Sequence, residues 1–232
     1  ANNVRNDVNR YHPDNRNWFN NNFWNNHGWH PGYWNDHTNW WGVATAVGVA
    51  GWLGWNRAPY YYGYDDDWYY PSSSYSTQDS YSQGYSQGYT QGSQTATPQP
   101  AQPSYAESNQ TIESAPSSDV ASSDWMPLGV FALSKDGSTT ATPNVYLQLA
   151  LSKNGVISGT YYNSTTDQTY ETEGAVDQST ERAAWKIANN ENSPILETGI
   201  YNLTQDQAPV RVNFPDGRVQ QMVLIRMQQQ GS

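Results

Sequence analysis

Over residues 124–228 apolar and polar side chains alternate with a period of two, the pattern of strands that turn one face to a core. Val145, Leu147, Leu149 and Leu151 alternate with Tyr146, Gln148, Ala150 and Ser152, and Val210, Val212 and Phe214 alternate with Arg211 and Asn213. Turn residues separate these runs. Asn154-Gly155 predicts a two-residue hairpin loop of type I′, whose central residues both need positive φ. Asp136-Gly137 and Asp216-Gly217 are signals of the same kind. The pattern predicts eight strands, at 125–134, 145–152, 156–162, 169–176, 183–188, 195–202, 209–214 and 219–227. Short links between them imply an antiparallel meander, closed as a small barrel or packed as a sandwich. A barrel also removes the exposed edges that invite aggregation. Trp125, Phe131, Trp185 and Tyr201 are the expected large core residues.

Upstream the pattern breaks down. Residues 1–39 are rich in Asn, Trp and His, and their aromatics recur without a period of 2 or 3.6. Asn and Asp favour local backbone hydrogen bonds over regular helices, so irregular or extended backbone is expected there. Residues 40–55, WWGVATAVGVAGWLGW, carry no charge. The run is shorter than the ~20 apolar residues of a spanning helix, so no membrane span is expected. It reads either as a helix or strand pair buried within the protein, or as a surface docked on a neighbouring subunit or a membrane. Residues 56–70 hold a Tyr/Asp patch. Residues 71–123 are Ser, Gln, Thr, Pro and Gly with scattered Tyr, including the repeats Tyr81-Ser82-Gln83-Gly84, Tyr85-Ser86-Gln87-Gly88 and Tyr89-Thr90-Gln91-Gly92. Such tracts bury too little apolar surface to offset ordering entropy, and their Tyr/Gln composition is of the self-associating kind. The chain therefore divides into an arm (1–39), a Gly-rich apolar segment (40–55), a patch and low-complexity linker (56–123) and an all-β domain (124–232).

Charge narrows the function classes. The net charge is −10, and only Arg5, Arg10, Arg16 and Arg57 are basic before residue 124. This is the wrong sign for nucleic acid, which needs a basic footprint. There is no cysteine, hence no disulfide framework and no thiolate chemistry. Together with a start at Ala1, as after signal-peptide removal, this suggests export.

The segments WMPLGVFALSKDG, YLQLALSKNGVISGTYYN, RAAWKI and ETGIYNLTQDQAPVRVNFPDGRVQQMVLIRM resemble the C-terminal part of a group of exported planctomycete proteins labelled mu-protocadherin or protocadherin. The upstream HPGYWNDHTNWWGVATAVGVAGWLGW is similar to that group as well. The resemblance covers both ends of the chain and skips the linker. It implies export to a bacterial envelope or exterior and brings no catalytic residues. The calcium-binding pattern of true cadherins is missing from this sequence.

Candidate chemistry is sparse. All four histidines, His12, His27, His30 and His37, fall in one window with Asp14 and Asp36. His27, His30 and His37 are the candidates for a metal, but no thiolate pair or HExxH-type motif supports one, and no metal or cofactor is expected. Asp65, Asp66 and Asp67 lack the alternation and Glu of a calcium loop. Among the carboxylates of the β domain, Asp167, Glu171, Glu173, Asp177, Glu181, Glu191 and Glu197, the pair Glu171 and Glu173 shares a strand face. Two carboxylates can divide acid and base work, yet carboxylates so spaced mostly decorate a solvent face. No nucleophile elbow is present, and the expectation is no enzyme.

The expectation for the whole is a secreted structural protein of a bacterial surface or matrix. It would assemble with itself, filaments being one outcome, through Trp24, Trp29, Trp34, Trp40, Trp41, Trp52 and Trp55 of the front end, by arm exchange or strand addition. Deletion of residues 1–56 should then leave a soluble, folded monomer. The alternative is a non-catalytic carbohydrate- or ligand-binding module on the envelope, because flat Trp and Tyr rings stack on sugar faces.

Overall fold

A computed structural model describes residues 1–27, 41–42, 44–63, 105–116, 124–135 and 142–228. Eight antiparallel strands close into a barrel in simple sequence order. They are β1 (Trp125–Ser134), β2 (Val145–Ser152), β3 (Val156–Asn163), β4 (Gln168–Asp177), β5 (Arg182–Ile187), β6 (Ile195–Gly199), β7 (Gln207–Asn213) and β8 (Val219–Arg226). Closure pairs Phe131 of β1 with Arg226 of β8 and runs on to Ser134 opposite Val223. The barrel is thus the one of the two predicted architectures that forms, and its strands begin and end within a few residues of the alternating runs.

Inward positions fill the barrel. Leu147, Leu149, Leu151, Phe131, Trp185 and Leu224 are completely buried in one cluster. All four expected core aromatics are buried, and Trp185 and Tyr201 are wholly inaccessible. Trp185 fits because Gly174 opposite has no side chain; a Cβ there would lie 2.6 Å from the Trp185 Cβ.

The hairpin at Asn154-Gly155 forms where expected but with a different turn. Only Gly155 has positive φ, at 81°, and its N–H bonds back to Ser152 O at 3.1 Å. The loop therefore has three residues, Lys153 to Gly155: a tight turn followed by a left-handed glycine rather than a two-residue I′ turn. Pro215-Asp216-Gly217 repeats it, with Gly217 at φ 84° bonded to Phe214 O. Asp136-Gly137 lies outside the described residues.

The front end departs most from expectation. Residues 1–27 form helix α1 (Asn2–Tyr11), a 3-10 turn (Pro13–Asn17) and helix α2 (Asn21–His27). Asn and Asp are poor helix formers. The helices persist because tertiary contact holds them: Val4 and Val8, one turn apart on α1, are buried with Trp18, Phe19, Phe23 and Trp24 against the outer wall of the barrel. That wall offers Val130, Ala132, Tyr146, Tyr162, Val223 and Ile225, outward positions that are apolar here.

Within residues 40–55 lies helix α3 (Ala46–Leu53), which packs Val49 on the barrel core and leaves Val47 exposed. Thr45 caps its start by accepting from Gly48 N at 3.1 Å. Gly54, at φ 69°, ends it, with Trp55 N reaching back to Ala50 O at 2.8 Å, the Schellman arrangement. Val49 is its one fully buried residue. None of the helices among the described residues is long and apolar enough to cross a membrane. A further helix, α4 (Tyr105–Glu113), lies within the stretch expected to be linker throughout.

Candidate functional site: three anchors on the barrel wall

Three segments outside the barrel are fastened to it by side chains that the strand pattern brings to its surface. The first anchor is the arm. Trp18 packs on Tyr146 with ring centroids 4.3 Å apart and lies 5.3 Å from Tyr162, which Phe23 meets edge-on at 5.1 Å. His27 closes the arm. Its ring stacks on Phe23 at 4.0 Å, its Nδ1 lies 2.7 Å from Phe23 O, and its Nε2 lies 2.9 Å from Asp167 Oδ1. Tyr162 donates to the same carboxylate oxygen at 3.0 Å. These two bonds hold the Asp167 carboxyl below its ordinary range, while burial and the anionic neighbour push the Tyr162 phenol up to about 12. At the arm's start Arg5 is buried. It donates from Nε to Arg226 O at 2.7 Å and pairs with Asp206 at 2.9 Å. Arg226 itself lies over Phe131 and donates to the carbonyls of Leu128, Leu203 and Gln205; burial draws its guanidinium down to about 10.

The second anchor ends the strap that follows α3. Tyr62 is buried, and the Asn202 side chain brackets its backbone: Asn202 Oδ1 accepts from Tyr62 N at 2.9 Å, and Asn202 Nδ2 donates to Tyr62 O at 2.7 Å. The Tyr62 hydroxyl donates to Thr180 O at 2.5 Å. Beside it Arg57 pairs with buried Glu181, which also accepts from Tyr60 N at 3.0 Å. Burial raises the Glu181 carboxyl despite both partners.

The third anchor is α4. Tyr105, Ser108 and Ile112 lie on one helical face. Tyr105 donates to Glu191 O and Ser193 O near 3.0 Å, and Ile112 packs on Ala184 and Ile195. Ser108 donates to Glu197 Oε2 at 2.9 Å within a buried polar set: Glu197 pairs with Arg182, Asn213 donates to Ser108 and Glu197, and Arg211 donates to Asn213. Breaking such a pair from one side leaves a bare buried charge and costs about 3–5 kcal/mol. Glu181 and Glu197 therefore correct the expectation that the domain's carboxylates face solvent; both are under 5% exposed. Glu171 and Glu173 do share the outer face, where burial and Glu173 raise the Glu171 carboxyl.

The predicted contact residues separate. Trp24 is buried against Phe19 and Phe23 of its own arm, and Trp41 packs half-buried on the arm's cluster. Trp52 donates from Nε1 to Leu151 O at 3.0 Å, and Trp55 meets Tyr201 edge-on at 6.3 Å. Each of the four has a partner within the chain, with Trp24 buried and the other three half-buried. Trp29, Trp34, Trp40, His30 and His37 lie outside the described residues, as do Asp65, Asp66 and Asp67. Of the metal candidates His27 alone is described, with both ring nitrogens facing hydrogen-bond partners. The anchoring roles of Tyr62, Asn202, Tyr105 and Ser108 are not legible in the sequence. The one available signal was a set of polar residues, Glu197, Arg211 and Asn213, at outward positions of otherwise apolar strands.

No protein-family profile, curated protein or solved structure matches the chain.

Proposed function

We propose that this chain is a non-catalytic structural protein of a bacterial surface or extracellular matrix, which self-associates through residues 64–104, the tract its barrel grips at both flanks. The observation that carries this reading is the pair of anchors. Tyr62 is bracketed by Asn202 on one side of the tract, and Tyr105 and Ser108 are fixed to the wall on the other. The sequence between the two anchors is rich in Tyr, Gln and Ser and includes the three Tyr-x-Gln-Gly repeats. Two further observations favour the tract over the arm. The arm's described rings are buried in its own chain. The barrel is closed, so no strand edge is free for strand addition. The resemblance to exported planctomycete proteins supports the location.

The test exchanges residues 64–104 for a Gly/Ser linker of equal length. Negative-stain microscopy and light scattering should show extended assemblies for the full chain and discrete monomers for the exchanged one. Equal assembly by both, or a full chain that stays monomeric at every concentration reached, would overturn the reading.

A further inference from the structure

We infer that the cavity between α1 and the end of β8 is a binding site for a neutral saccharide. It has a volume of about 300 Å³, and Asn2, Arg5, Asn6, Asn9, Met227 and Gln228 line it. That is the small end of the range for ligand pockets and has room for one or two sugar units.

The chemistry of the lining selects the ligand class. Asn2, Asn6 and Asn9 follow one another at the i, i+4, i+7 spacing, so one face of α1 presents a row of carboxamides. The opposite face carries Val4 and Val8 into the barrel wall, which fixes the direction of that row. Each carboxamide has both donors and acceptor. Asn2 uses its oxygen on Arg5 Nη1 at 3.1 Å, and Asn9 uses its oxygen on Asn15 Nδ2 at 2.6 Å, so what these two carboxamides have left to offer is their N–H donors. Asn6 and Gln228 add donors and acceptors that make no hydrogen bond to another described residue. Donors from Asn2 and Asn9, with both donors and acceptors from Asn6 and Gln228, complement hydroxyl groups, each of which gives and takes one bond. Met227 is buried in the arm's cluster behind this lining, so the cavity presents polar groups almost throughout.

The same residues argue against charged ligands. Among the described lining residues the one cation is Arg5, and its guanidinium is already shared among Asp206, Arg226 O and Asn2. It stiffens the wall without offering a vacant charge to a phosphate or carboxylate. Among the described residues of the lining there is no carboxylate or imidazole to serve as a metal ligand.

This site is independent of the tract 64–104 and survives if that reading fails. The experiment is a titration of the isotopically labelled full chain with glucose, N-acetylglucosamine and chitotriose, with inorganic phosphate as the anionic arm. The side-chain amide resonances of Asn2, Asn6 and Asn9 are followed. At least one sugar should shift them saturably while phosphate leaves them in place. Asn6→Leu touches no hydrogen bond of the fold and should weaken that sugar at least tenfold with the remaining spectrum unchanged. A flat response to all three sugars, an equal response in the Asn6→Leu chain, or a preference for phosphate would overturn the proposal.

Discussion

The clasp at His27 shows how one side chain ties the arm to the barrel. Its two ring nitrogens face a backbone carbonyl and a carboxylate, one on the arm and one on the barrel. Asp167, on the barrel side, has its carboxyl held low first by His27 and then by Tyr162. A depressed carboxyl contributes stability that is present above its unfolded value and is lost as pH falls through the folded one. Acidification below the ordinary carboxylate range should therefore loosen α2 from β3, and Asp167→Asn should do so at neutral pH. Asp167 is largely exposed, so screening limits the effect to at most about 1 kcal/mol. Hydrogen exchange of the α2 amides reads it directly. Protection unchanged in Asp167→Asn would show that ring stacking alone holds the helix.

Elements differ in how plainly the sequence announced them. Strands were legible because one side of each meets the barrel core, and alternation records that contact residue by residue. The outward side is where reading failed. Tyr146, Tyr162 and Val223 stand at outward positions and look like scattered exceptions until the arm is placed over them. The helices of the arm were hidden for the same reason. Val4 and Val8 are only two apolar residues among asparagines, and the wall beneath supplies what propensity lacks. Helix α4 escaped notice because its fastening is polar: Ser108 and Tyr105 look like linker composition until Glu197 and Asn213 are set opposite them. The turns were read at the right places, but the loop type depends on one backbone angle that Asn-Gly does not fix. The packing also reverses the expectation for truncation. Deleting residues 1–27 bares the apolar wall and deleting 1–56 also removes Val49 from the core, so both truncated chains should bind a hydrophobic dye and melt earlier than the full chain. Truncated chains that remain soluble, dye-silent and equally stable would show that the wall needs no cover.

At the scale of the whole molecule the barrel organises a chain much of whose composition cannot make a core. Its interior holds Trp185 and its layers of Leu, its outer wall holds the arm, and its polar patch under α4 holds the far end of the central tract. Only the first of these jobs could be read from periodicity, since the other two depend on which outward residues happen to face a distant segment. The candidate cavity is of the same kind. Its amide row was visible as Asn-rich sequence, yet nothing local revealed that α1 would lie against the end of β8.

The double fastening around residues 64–104 has a consequence for breakage. A protease that cuts once inside that stretch severs the chain but not the molecule, since the upstream piece remains seated through Tyr62, α3 and the arm, and the downstream piece is the barrel itself. The nicked protein should run as a single species on a native sizing column and come apart into two bands only when denatured.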